Sequence, residues 1–229
     1  MTVGILAAAA ILGGIALVLM AFLQRGRDGV ELSPGGLMRL YLYIASLAGV
    51  IVFAIGLSAV VNYGIARVAG DELIYGGTPV PAVARPVCPP EAVGKGCVEP
   101  TPEQLEQQRR DEQDRRERQR DEDLLRGFTY ALFGALFWVA HWGARRGLGT
   151  EGSVPGLRRV YLLVGTIAFG VATIVLLPTG IYQALANALL RTPEGYYRQG
   201  ADSLGGGLVT LVIWLIYLRL VVLEIRRAG

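Results

Sequence analysis

Charge is segregated along this chain to a degree that leaves few folds open. Residues 3–23, 40–62, 128–144 and 160–186 contain no Asp, Glu, Lys or Arg, and 204–223 contains only Arg219, close to its end. A helix needs about 20 apolar residues to cross a hydrocarbon core about 30 Å thick. A charge near the bilayer centre costs at least ~2.5–3.5 kcal/mol. All five stretches are long enough, with 128–144 able to borrow Leu124 and Leu125. The overall charged fraction of 18% lies below the roughly 25% of soluble domains. These features predict an all-α integral membrane protein with about five transmembrane helices. Tyrosines bracket two of the spans (Tyr41, Tyr43 and Tyr63; Tyr161 and Tyr182), as expected of rings that prefer the membrane interface.

The first span is not read as a cleaved signal peptide. It lacks a positive leading region, its apolar run is too long, and no small-x-small site follows it. Arg25 and Arg27 come after it instead. Short loops rich in Arg stay in the cytoplasm. Placing Arg25, Arg27, Arg39, Arg145, Arg146, Arg158, Arg159, Arg219, Arg226 and Arg227 inside leaves only Arg191 and Arg198 in the short outside loop, beside Glu194 and Asp202. The expected topology is N-terminus outside and C-terminus cytoplasmic. Arg makes up 21 of the 22 basic residues and Gly numbers 31. That bias suits a GC-rich bacterial genome, and hence a multi-pass protein of the bacterial cell membrane. The net charge of +3 is no nucleic-acid signal, because the Arg residues sit at span edges or among acids.

Spans two and four begin alike. Gly36-Leu37-Met38-Arg39-Leu40-Tyr41-Leu42 aligns with Gly156-Leu157-Arg158-Arg159-Val160-Tyr161-Leu162, and Phe137-Trp138-Val139 rhymes with Ile213-Trp214-Leu215. Two tandem helical hairpins of one orientation are expected, preceded by one N-terminal helix. The competing explanation is chance similarity between apolar segments drawn from few letter types. The domains on this reading are 1–36, the N-terminal helix and its loop; 37–144, the first hairpin with an external insertion at 64–126; and 145–229, the second hairpin. Arg39-Leu40-Tyr41-Leu42-Tyr43 opening a span and Trp138-Val139-Ala140-His141-Trp142 closing one resemble an uncharacterised family of bacterial multi-pass membrane domains. The resemblance covers the four repeat spans. The second copy departs from it, with Leu163 in the place of Tyr43 and Tyr217 in the place of His141. As a domain of unknown function, the family implies no activity and no site residues.

The insertion has two parts. Seven of the eleven prolines fall between Thr78 and Pro102, which imposes an extended, non-helical path. Cys88 and Cys97 lie in this stretch, with Gly94-Lys95-Gly96 between them. An oxidising compartment favours a disulfide, and closing so short a loop contributes roughly 3 kcal/mol in the chain-entropy model. Metal binding is the alternative, although two cysteines alone do not complete a zinc site. Thr101-Pro102-Glu103-Gln104 then reads as a capping box with Pro at the first helical position. No apolar residue occurs from Glu106 to Asp123. Glu106/Arg110, Asp111/Arg115, Glu112/Arg116 and Asp114/Arg118 are i,i+4 pairs in the favourable order. With no apolar face to bury, residues 102–126 are expected to form a solvated helix continuous with span three. It would serve as a spacer or as a docking surface; a disordered charged tract is the third possibility, against which the capping box argues.

Three polar or breaking residues fall inside or at the edge of spans. His141 is the only histidine. A bis-His haem site needs a second, so His141 is read as a hydrogen-bonded residue among aromatics. Pro178 should kink span four; transporters use such breaks as binding sites, usually with a matching break in the other half, but span two has Gly56-Leu57-Ser58 at that level and no proline. Arg219 is read as snorkelling to the nearby surface. In span one, Ala9/Gly13 and Ala10/Gly14 permit close helix approach. No phosphate-binding, nucleophile-elbow or zinc-protease motif occurs. No cofactor, catalytic residue or metal ligand is therefore expected. The expected partners are the lipid bilayer and other membrane proteins, met through the 102–126 helix or helix 1, with no nucleic acid. The leading functional expectation is a non-enzymatic accessory or scaffold subunit acting through protein contacts. The alternative is a small transporter or channel built on the repeat, and a cofactor-binding membrane enzyme is the third.

Overall fold

The computed structural model describes residues 34–76, 101–148, 155–189 and 200–228. The first expected span, 3–23, and the cysteine pair Cys88 and Cys97 lie outside them. Every regular element among the described residues is helical: α1 (Pro34–Ala69), α2 (Asp71–Tyr75), α3 (Pro102–Gly147), α4 (Pro155–Leu189) and α5 (Ser203–Ala228). Of these, α1, α3, α4 and α5 are long and apolar enough to cross a membrane.

Local chemistry sets the ends of these helices. Three of the long ones begin on proline, whose fixed φ and missing N–H suit the first helical position. At Thr101 the full capping box forms. The Gln104 N–H donates to the Thr101 hydroxyl at 3.4 Å, and the Thr101 N–H donates to the Gln104 side chain at 3.0 Å. α1 ends where Gly70 turns to a φ of 99°, a conformation in which side chains other than glycine are strained. Arg145 and Arg146 occupy the last turn of α3, where cations complement the negative end of the helix dipole. α4 continues as one helix through Pro178.

The helices pack as two antiparallel hairpins. The most extensive contact joins α1 to α3, the next α4 to α5, and α1 links the hairpins, mainly through α5. The main core comprises Tyr43, Leu47, Val50, Ile51 and Ala54 from α1, Val160, Tyr161, Leu162, Val164 and Phe169 from α4, and Val209, Ile213 and Tyr217 from α5. α3 lies outside that cluster, against α1.

The α1/α3 contact is backbone on backbone. Gly49 and Gly56 lie seven residues apart on α1, and Gly127 and Gly134 seven apart on α3. A Cβ on Gly56 would sit 2.1 Å from the Ala131 nitrogen, and one on Gly134 would sit 2.3 Å from the Phe53 nitrogen. Small residues repeated on one face allow such an approach, with dispersion and packing replacing side-chain interdigitation. The second hairpin uses the same device once on each helix, where Gly180 meets the Leu204 backbone and Gly207 the Leu177 backbone.

The expectation that the charged part of α3 has no face to bury is corrected here. Residues 112, 116, 120, 123, 127, 131, 134 and 145 are the half-buried or buried positions of one stripe along the helix. The steps of three and four, and the last of eleven (about three turns), keep them on one face. The stripe begins as arginine and carboxylate, continues as glycine and alanine, and ends at Arg145. Its charged part is covered by α2.

Candidate functional site

Two clusters of polar side chains stand out, one at each end of the bundle. At the end where α1 and α4 begin and α3 and α5 finish, each of the four long helices contributes one side chain. Arg145 of α3 is only 6% exposed. Its guanidinium lies over the rings of Tyr43 (4.6 Å to the centroid) and Tyr161 (5.1 Å). Both distances are within the ~6 Å range of cation–π attraction, which is worth up to about 2 kcal/mol when desolvated. The Tyr43 and Tyr161 rings pack at 5.3 Å, and the Tyr161 and Tyr217 hydroxyls share a hydrogen bond of 2.8 Å. Tyr217 also packs on Phe169. The cluster is a cation held among aromatic rings, and it ties α3 to the second hairpin. Sequence reasoning counted Arg145 only as a topological charge and missed this role.

His141 lies one turn earlier on α3. Its Nδ1 is 2.7 Å from the Phe137 carbonyl, and its Nε2 is 3.3 Å from the Tyr41 hydroxyl. A carbonyl only accepts, so Nδ1 carries the proton and donates. In the neutral ring, Nε2 then accepts from Tyr41. The ring also packs on Phe137 and Tyr41. His141 is thus hydrogen-bonded among aromatics. Pro178 of α4 and Arg219 of α5 are both exposed. Among the described residues no hydrogen bond, ion pair or ring contact joins His141, Pro178 and Arg219, so the three do not form one site. No group of three or more His, Cys, Asp or Glu there could hold a metal ion.

At the other end, the short helix α2 fills the angle between the bundle and the charged part of α3. Ile74 is fully buried with Ala66 and Ala201, and the Ala201 N–H donates to the Leu73 carbonyl at 2.9 Å. Asp71 and Glu72 then meet α3: Arg120 bonds Asp71 and Arg116 bonds Glu72, both at 3.0 Å. The arginine side chains are 18% and 13% exposed, so their stems contribute packing as well as charge. Asp123, one turn further, pairs with Arg126. Burial raises the Asp123 carboxyl above its ordinary pKa, outweighing the opposing effect of Arg126. Burial, followed by the Asp123 charge, likewise raises the Tyr75 phenol. Beside this clasp, Asn62 of α1 donates to the Asp202 carbonyl at 2.7 Å and accepts from the Gly205 N–H at 3.0 Å. It thereby satisfies an amide of the first turn of α5, which has no intrahelical partner.

The clasp could not be read from charge pattern alone, since Glu112, Arg116 and Arg120 also fit intrahelical pairs. Both kinds of pair form: Arg116 lies 3.6 Å from Glu112 as well as 3.0 Å from Glu72. A usable signal was present in the seven-residue spacing of Arg120, Gly127 and Gly134 along one face. No protein-family model, no curated protein and no solved structure matches this chain.

Proposed function

We propose that the protein is a non-enzymatic accessory or scaffold subunit of the bacterial cell membrane, which holds a charged helix outside the bilayer for a protein partner. The observation that carries this reading is α3. It is one helix of 46 residues, about 69 Å at 1.5 Å per residue. The hydrocarbon core takes up about 30 Å of such a length, and the remainder belongs to the charged segment. The clasp fixes that segment near its base. The first turns beyond it, from Glu103 to Asp111, expose every side chain described. A helix held at its base and solvated at its tip suits presentation to a partner.

The hairpin repeat fits the same reading. On the alignment of the two halves, Tyr41 corresponds to Tyr161 and His141 to Tyr217. Tyr41 bonds His141 and Tyr161 bonds Tyr217. The correspondence supports a duplicated hairpin. Each polar pair joins the two helices of one hairpin, which suits packing. The resemblance to a bacterial multi-pass domain of unknown function adds membrane location and no activity.

A photo-crosslinking side chain at Gln107 tests the proposal in intact membranes. One at Leu189 serves as the control. The expected result is a discrete protein adduct from Gln107 that is lost when Arg116 and Arg120 are both changed to Gln. Absence of any adduct from Gln107, or one unaffected by loosening the clasp, would count against it.

A further inference from the structure

An open groove of about 540 Å³ runs between α4 and α5 at the Arg-rich end of the bundle. Its volume falls within the roughly 300–1,000 Å³ of small-molecule sites. The walls are apolar, formed chiefly by Leu162, Leu163, Val221 and Ile225, and two charged residues, Arg159 and Glu224, stand at its edge. Leu162 is buried, while Leu163 and Ile225 are open to the surroundings. The groove is therefore a notch in the outer face of the second hairpin.

The charges around this notch are unequal. Glu224 is engaged by Arg158 at 3.4 Å, which offsets its negative charge. Arg159 is exposed at the rim, and Arg226 is exposed next to Ile225. Among the described residues at this end, Arg39, Arg145, Arg146, Arg158, Arg159, Arg219 and Arg226 face a single acid, Glu224. A guanidinium is suited to bidentate phosphate recognition, and basic pockets between membrane helices take anionic lipid headgroups. An apolar trough below a cationic rim matches an amphiphile with the opposite charge at its head.

We propose that this groove binds a phospholipid of net negative charge, with its phosphate on Arg159 and an acyl chain along Leu162, Leu163, Val221 and Ile225. The inference is independent of the role given to the external helix, since the two lie at opposite ends of the bundle. Charge selects the lipid. A zwitterionic headgroup adds an ammonium to a rim already rich in cations, whereas phosphatidylglycerol adds none.

The test uses the full chain, stripped of lipid in a neutral detergent. Phosphatidylglycerol and phosphatidylcholine with identical acyl chains are added in turn, and binding is followed by native mass spectrometry and thermal unfolding. The expected result is at least tenfold tighter retention of phosphatidylglycerol, with a rise in unfolding temperature that phosphatidylcholine does not match. Glycerol phosphate at the same concentration should leave the unfolding temperature unchanged. Arg159→Gln should remove the preference for the anionic lipid, and Leu163→Trp, which fills the trough, should weaken retention of phosphatidylglycerol. Equal retention of the two lipids by the wild-type protein would overturn the proposal, whatever the fate of the variants. An effect reproduced by glycerol phosphate would make the ligand a free phosphate and overturn it too.

Discussion

Gly56 admits no side chain. The nearest atoms to a Cβ there are backbone atoms of Gly127, Tyr130 and Ala131, none of which can rotate away. Even Ala forces α1 and α3 apart, and overpacking of this kind costs about 1–3 kcal/mol. Gly64, eight residues later on the same helix, has nothing within 4 Å of its Cβ position. There Ala removes only the entropic penalty of glycine in a helix and should stabilise by about 0.5–1 kcal/mol. Unfolding of the two variants in detergent should therefore shift in opposite directions, with Gly56→Ala the less stable. Equal effects would mean that the hairpin is not closed at this contact. Arg145 shows a different residue-scale constraint. Lys would keep its charge but lose the planar group that lies over Tyr43 and Tyr161.

The clasp between α2 and α3 is a property of elements, because no single pair in it is strong. Partly exposed ion pairs each contribute about 0.2–1 kcal/mol, and α2 has only five residues. Its hold depends on Ile74, the Leu73 carbonyl and the two arginines acting together. Asp123 gives this contact a pH dependence of definite sign. Its pKa is raised in the folded protein. An acid raised on folding favours the fold fully below its unfolded pKa of about 3.9, and that contribution is lost as pH rises through the folded value. At neutral pH the ionised carboxylate is thus a cost that Asp123→Asn removes. The variant should be more stable than the wild type at pH 7, with the difference shrinking toward acid pH. Spin labels at Val68 and Gln119, both exposed, should show a narrower distance distribution in the variant at pH 7. A wild type more stable than the variant at that pH would overturn the assignment.

At the scale of the whole molecule, arginine in excess of acid is concentrated at one end. That end carries Arg39 at the start of α1, Arg146 at the end of α3, Arg158 and Arg159 at the start of α4, and Arg226 at the end of α5. On the positive-inside rule we propose that this end lies in the cytoplasm, with the clasp and the charged helix outside. A reporter active only in the periplasm should be on when fused after Gly200 and off when fused after Gly229. The opposite pattern would invert the orientation and put the charged helix in the cytoplasm.

Thr101, Pro102 and Gln104 specified the start of α3 without reference to anything distant, because capping is a contact over three residues. The apolar runs likewise specified the four long helices described, because length and lack of charge belong to each segment alone. Which face of α3 is covered was a tertiary matter. Arg116 and Arg120 are surface arginines until α2 brings Asp71 and Glu72 against them. Gly127 is a weak point in a helix until Gly56 lies opposite. Arg145 is a topological charge until Tyr43 and Tyr161 come from two other helices to enclose it. Residue type and spacing fix what a segment can do on its own. What a glycine or an arginine contributes depends on the surface placed against it, and only the packing of the helices supplies that surface.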